Sequence, residues 1–219
     1  AVDGLLFGNR ADVGFVTGRQ FANPDQRITF NVPEGFVISA TRNQVVACGP
    51  GNSSIIFEAA RVKFTGNMLE YLTTLWARNF SFEESHTTEI NGMDAAIGWA
   101  RRETHRGSLE VRFVAIRFDQ ETIYRFLTVT PLEHSETFAK ALRDSIFSFR
   151  RLGSVEAGRL KPRRLQVVEV QAGDSLSDFV QRMAVPEFHW EKFAILNGLF
   201  DAKESVELKP GAKVKLITR

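Results

Sequence analysis

The sequence predicts an α+β fold: a mostly antiparallel sheet with packed helices over residues 27–150, then a small β-α-α-β domain over residues 165–219. Three observations predict it. Apolar residues alternate with polar ones in runs joined by short Gly-, Asn- and Pro-bearing turns, which favours hairpins and so antiparallel pairing. Two segments in between repeat apolar residues at helical spacing instead. A basic stretch, "RRLGSVEAGRLKPRR" from Arg150, then separates these elements from a final segment with its own strand and helix punctuation.

The elements follow in order. In "RITFNVPEGF" Ile28, Phe30 and Val32 alternate with polar neighbours, and Pro33 and Gly35 end the strand. "NQVVACGPGNSSIIFEAARV" reads as two strands around Gly49-Pro50-Gly51-Asn52. "NMLEYLTTLWARNF" places Met68, Leu69, Leu72, Leu75 and Trp76 on one helical face. Asn91-Gly92 is a strong hairpin signal, because both residues tolerate positive φ. "LEVRFVAIRFDQETIYRFLTV" holds two strands around Asp119-Gln120-Glu121, apolar on both faces and therefore central in a covered sheet. After Pro131, Ser135 is expected to cap a helix in which Phe138, Leu142, Ile146 and Phe149 recur. Residues 1–26 read as a leader from an upstream domain. Residues 151–164 read as a linker: a solvated tether, or a basic run touching teichoic or lipid phosphates.

Composition bounds the function. The chain has 219 residues, 43% hydrophobic and 25% charged, as soluble globular proteins have. Its net charge of +2 gives no argument for nucleic acid or an anionic membrane surface. Nineteen Phe against two Tyr point to cores packed with apolar rings. Cys48 is the only cysteine, so no internal disulfide forms, and its predicted strand makes it a buried, inert thiol. No apolar run approaches the roughly 18 residues of a membrane span. The opening lacks Met and begins in turn-rich sequence, from which a cut out of a longer polypeptide is expected.

Catalytic patterns are missing. Among His86, His105, His134 and His189 none has another His within five residues, so no H-E-x-x-H zinc motif exists. G-x-S-x-G is absent, and "CGPGNSS" lacks the third Gly and the Lys of a phosphate loop. No metal ligand set and no catalytic residue is assigned. The one enzyme reading left open assembles a site from His86, His105 and Glu103 on neighbouring strands.

The terminal segment carries the clearest pattern. "LQVVEV" is a strand, and Ser175 with Asp178 forms a capping box for the next helix. Leu176, Phe179, Val180 and Met183 share one face of that helix. Pro186 opens a second helix, packed through Trp190, Phe193, Ala194 and Leu196 and ended by Asn197-Gly198. Pro210-Gly211 then turns the chain into "AKVKLI". With "VQAGDSLSDFVQRM", "FAILNG" and "LKPGAKVKL" in this order, the segment resembles the LysM domain. That resemblance implies a shallow groove for N-acetylglucosamine-containing glycans such as peptidoglycan. It would be lined by Gly173, Asp174, Ser175 and Leu176 in one loop and by Asn197, Gly198 and Leu199 in the other. Trp190 and Phe200 would be the aromatic candidates for stacking on a sugar, with core packing as their alternative. A scaffold with a protein-facing role is the alternative for the whole module.

The opening "DGLLFGNRADVGFVTGRQFANPDQRITFNVPEGF" resembles the segment that follows the catalytic domain in bacterial gluzincin-type zinc metallopeptidases, those related to the tetratricopeptide-containing quality-control protease of the cell envelope. It departs from that pattern at Asn23 and at Gln26-Arg27. The resemblance implies that this chain is the accessory, non-catalytic region, in a periplasmic or envelope setting. Zinc would sit in an upstream catalytic domain, and this chain would hold no cofactor and make envelope protein contacts. Residues 27–150 also resemble the PsbP-like α/β sandwich in element order. A free-standing peptidoglycan-binding protein is the alternative.

Overall fold

The computed structural model describes residues 2–8, 12–185, 187–199 and 208–219. It is α+β, with antiparallel sheets and few helices, and divides into two compact units, residues 12–158 and residues 1–11 with 159–219.

The strands begin with β1 (Leu6–Phe7), β2 (Phe15–Thr17), β3 (Gln20–Asn23), β4 (Ile28–Asn31), β5 (Val37–Ala40), β6 (Gln44–Cys48) and β7 (Ser54–Arg61). Helix α1 (Met68–Glu70) runs into a π-helical turn (Tyr71–Trp76). Then come β8 (Glu84–Ile90), β9 (Met93–Thr104), β10 (Gly107–Arg117), β11 (Thr122–Pro131), α2 (Ser135–Phe147), β12 (Arg150–Arg151) and α3 (Ser154–Arg159). The chain ends with β13 (Arg163–Glu169), α4 (Leu176–Gln181), α5 (His189–Asn197) and β14 (Lys213–Thr218).

In the larger unit seven strands pair in the order β5-β6-β7-β11-β10-β9-β8, with β10 and β11 central, as their two apolar faces require. Alternation sorts their side chains. Val114, Ile116, Tyr124 and Phe126 join one core, and Val111, Phe113, Ala115 and Ile123 the other. The first face is covered by α2 and by a four-stranded sheet in the order β12-β4-β3-β2. There Phe57 sits 4.7 Å from Phe30 and Phe126 and 5.2 Å from Tyr124, ring centre to ring centre. Such close aromatic pairs add about 0.5–1.5 kcal/mol each beyond the area they bury. The second face is covered by α1 and the π-helical turn through Met68, Tyr71 and Leu72.

Several expectations change here. The π-helical turn buries Tyr71 and leaves Leu75 52% exposed, because the N–H of Ala77 reaches back five residues to the Leu72 carbonyl. That wider turn rotates the face away from 3.6-residue spacing. Ser135 is no cap: its hydroxyl donates to the Leu132 carbonyl, and the helix enters from a short 3-10 turn at Leu132–His134. Cys48 is exposed, because Val45 and Ala47 take the inward positions of β6. Asn91-Gly92 forms the expected two-residue turn, with φ of 47° and 77°, and the Asn91 amide donates to the carbonyls of Phe147 and Phe149, 2.8 Å each. The segment expected as a leader carries three strands. β1 pairs with β13, while β2 and β3 continue the sheet of β4. The segment expected as a linker carries β12 and α3, and Leu152 within it is 2% exposed.

The smaller unit is a three-stranded antiparallel sheet, β1-β13-β14, with α4 and α5 between its last two strands. Its core is Val170, Leu176, Phe179, Met183, Phe193, Val214, Leu216 and Ile217. β1 is tied on by main-chain bonds from Gly4 N to the Leu165 carbonyl and from Leu165 N to the Leu5 carbonyl, both 2.8 Å.

Candidate functional site

The loop after β13 is built by its side chains. Asp174 accepts from the Gln171 N–H at 2.8 Å and closes a turn in which Gly173 sits at φ +93°. Ser175 Oγ accepts from the Asp178 N–H at 3.2 Å, and the Asp178 carboxylate accepts from the Ser175 N–H at 3.2 Å, which completes the capping box. The Ser175 hydroxyl also donates to that carboxylate, and these bonds hold the Asp178 carboxyl below the usual aspartate range. Leu176 faces the core at 9% exposure.

The loop after α5 is built in the same way. The Asn197 amide donates to the carbonyls of Phe193 (2.9 Å) and Lys215 (3.0 Å), and its oxygen accepts from the Lys215 N–H at 2.7 Å. It therefore clips α5 to β14. Gly198 takes the left-handed conformation that ends the helix, and Leu199 packs on the core with its N–H on the Ala194 carbonyl. All seven residues singled out in the sequence thus have a structural task. β14 joins the two loops: Val170, at the root of the first, pairs with Ala212, and Asn197 grips Lys215. Three residues of extended chain set these anchors about 10 Å apart.

What stays open in the first loop is main chain. The N–H groups of Ala172 and Gly173 have no hydrogen-bond partner among the described residues, and both residues are exposed. Of the aromatic candidates, Trp190 is half-buried with its ring 6.5 Å from that of Phe193, so it belongs to the core. Phe200 and Pro186 lie outside the described residues. Sequence reading passed over Phe188, which stands at φ +56° ahead of α5, is 62% exposed and lies under Lys192. A lone Phe between turn residues gives no periodic signal.

The distributed catalytic site does not assemble. His86 on β8 pairs with Ile97 on β9, six residues before Glu103, which places the two about 20 Å apart along the strand. Glu103 accepts from the Ser108 hydroxyl at 2.6 Å. Among the described residues no three His, Cys, Asp or Glu side chains cluster as metal ligands, and no helix is long and apolar enough to cross a membrane.

The larger unit holds a cavity of about 390 Å³ that sequence reading missed entirely. Arg27, Arg61 and Arg151 line it with Asp25, Asp119 and the buried Tyr124. These residues come from four separated stretches, so no local pattern announces them.

No protein-family model matches the chain, and no curated protein matches it. Solved structures with a similar course include a protein of Bacteroides thetaiotaomicron VPI-5482 (13% identity, TM-score 0.47, covering 76% of this chain), and this chain spans only 59% of that protein's length. The Saccharomyces cerevisiae Ran-binding protein Mog1p is similar at 15% identity and a TM-score of 0.47, over 64% of this chain and 98% of its own. Cyanobacterial PsbP (CyanoP) of Synechocystis sp. PCC 6803 is similar at 9% identity and a TM-score of 0.45, over 63% of this chain and 98% of its own. Likenesses this distant carry no argument about function.

Proposed function

We propose that this chain is a non-catalytic accessory region of an envelope zinc metallopeptidase, with its terminal LysM-like unit holding N-acetylglucosamine-containing glycan of the cell wall. On this reading the zinc of the parent enzyme would be bound in an upstream catalytic domain. The larger unit serves contacts with envelope proteins. The support is the strand–helix–helix–strand order of β13, α4, α5 and β14 with the three quoted motifs in place. The observation that carries the glycan reading is the pair of open N–H groups at Ala172 and Gly173, in a loop rooted on the same strand as the Asn197 loop. Sugar hydroxyls and acetamide carbonyls accept from such donors.

The test is sedimentation of the full chain with insoluble peptidoglycan. The full chain is required, because a fragment starting at residue 160 would lack β1 and leave the edge of β13 bare. Saturable sedimentation is expected, with loss on Ala172→Leu, which adds bulk beside the open N–H groups and touches none of the bonds that build the loop. Absence of sedimentation by the folded wild-type chain overturns the glycan reading.

A further inference from the structure

The cavity in the larger unit supports an inference that is independent of the wall reading. Three guanidinium groups line it, each held by one or two bonds that use only part of its donor set. Arg27 Nε donates to the Leu152 carbonyl at 2.9 Å and its Nη2 to Ser154 Oγ at 3.0 Å. Arg61 Nη1 donates to Thr122 Oγ1 at 2.6 Å. Arg151 Nη2 donates to the Phe118 carbonyl, and its guanidinium lies 3.8 Å from the centre of the Phe118 ring. A guanidinium has five N–H donors, so all three keep donors to spare. Among the described residues none is ion-paired, although Arg42, Arg112, Arg125 and Arg150 of the same unit all are.

The two carboxylates of the cavity do not neutralise it. Burial would raise the Asp119 pKa, but bonds from the Glu121 N–H and from Thr122 outweigh it and keep this carboxylate ionised. It serves the β10–β11 turn, accepting the Glu121 N–H at 2.9 Å. By formal charge, the three arginines of the lining outnumber its two aspartates by one. The floor is Tyr124, 1% exposed, with its hydroxyl 3.4 Å from Gln26 Oε1. Burial pushes its pKa up to about 12, so the phenol remains a donor at neutral pH.

The backbone also bends toward this place. Arg27 is a non-glycine residue at φ +58°, in a turn closed by Asn23 accepting the Gln26 N–H at 2.9 Å. Strain of this kind collects at ligand sites. Here it sets Arg27 against the 150–154 stretch, where its carbonyl also takes the Leu152 N–H at 2.7 Å.

We infer that this cavity binds the oxyanion of a small molecule, a phosphate or carboxylate group whose oxygens rest on Arg27, Arg61 and Arg151. Planar N–H forks match both groups, and the aromatic wall of Phe118 and Tyr124 gives the rest of such a molecule an apolar side.

The experiment titrates the ¹⁵N-labelled full chain with inorganic phosphate and, separately, with citrate, following the arginine Nε–H signals at low chloride. Saturable shifts confined to Arg27, Arg61 and Arg151 are expected, and the tighter of the two anions identifies the oxyanion class. Arg61→Gln should weaken binding about tenfold, the usual effect of losing one charge-assisted bond. Arg106→Gln, at an exposed turn elsewhere, should leave it unchanged. Should Arg61→Gln unfold, Arg151→Lys gives the same reading, since it keeps the charge and loses the fork. Shifts that never saturate with either anion, or that Arg106→Gln reduces equally, overturn the inference. That result leaves the glycan reading standing, because peptidoglycan sedimentation is read separately.

Discussion

The two units use polar side chains in opposite ways. Around the terminal loops every polar side chain singled out is consumed by the fold: Asp174 closes a turn, Ser175 caps a helix, and Asn197 clips a helix to a strand. Any ligand there must be met by main-chain groups. In the 12–158 unit the arginines of the cavity are steadied by one bond each for Arg61 and Arg151 and two for Arg27, and keep most of their donors. Substitution of these polar side chains should therefore strike stability chiefly in the smaller unit and binding chiefly in the larger.

The largest expected effect calibrates the larger unit. Phe57→Ala removes a ring that contacts Phe21, Phe30, Tyr124, Phe126 and Phe149, and should cost about 3–5 kcal/mol. A urea titration reads this as a lower midpoint, and a cost below about 1 kcal/mol would mean a core that collapses around the gap.

Asn197→Ala comes next and tests the contrast directly. It strands the N–H and carbonyl of Lys215 together with the Phe193 carbonyl, and should cost about 2–3 kcal/mol. Arg61→Gln, by comparison, loses one bond, to Thr122 Oγ1, and should cost only about 1 kcal/mol while weakening anion binding. If Asn197→Ala unfolds at the wild-type midpoint, the contrast fails.

Ser175→Ala removes a cap and should cost about 1 kcal/mol. It also carries a pH signature. The folded Asp178 pKa lies below its unfolded value of about 3.9. The carboxylate's contribution is therefore complete above that value and disappears as pH falls through the folded pKa. Wild type should lose stability through this acid window, and Ser175→Ala should lose less across it. Equal acid slopes in the two proteins would separate the cap from the titration.

The sequence made the periodic parts of this molecule legible. Strands β9, β10 and β11 are long enough for alternation to show, and Asn91-Gly92 named its own turn. The capping box of Ser175 and Asp178 formed as read. The exceptions have local causes. β1 to β3 span two to four residues each, too few for a period to emerge. The π turn at Tyr71–Trp76 shifts the buried face by one position, which no 3.6-residue template anticipates. The arginine cavity draws on residues 25–27, 61, 118–124 and 151–152, and only tertiary folding joins them.

The pairing of β1 with β13 spans a great length of chain, with Gly4 and Arg164 bonded across 160 residues. In effect the larger unit is a guest inserted within the smaller. On the ribosome β1 emerges before β13 and waits for it until the guest has been made. An unpaired edge in waiting invites mistaken partners. Here the exposed edge is brief, two residues between Gly4 and Gly8, a poor template for aggregation. Closing the terminal sheet is therefore a late event in the life of the nascent chain, and its loss should be the first mark of a truncated product.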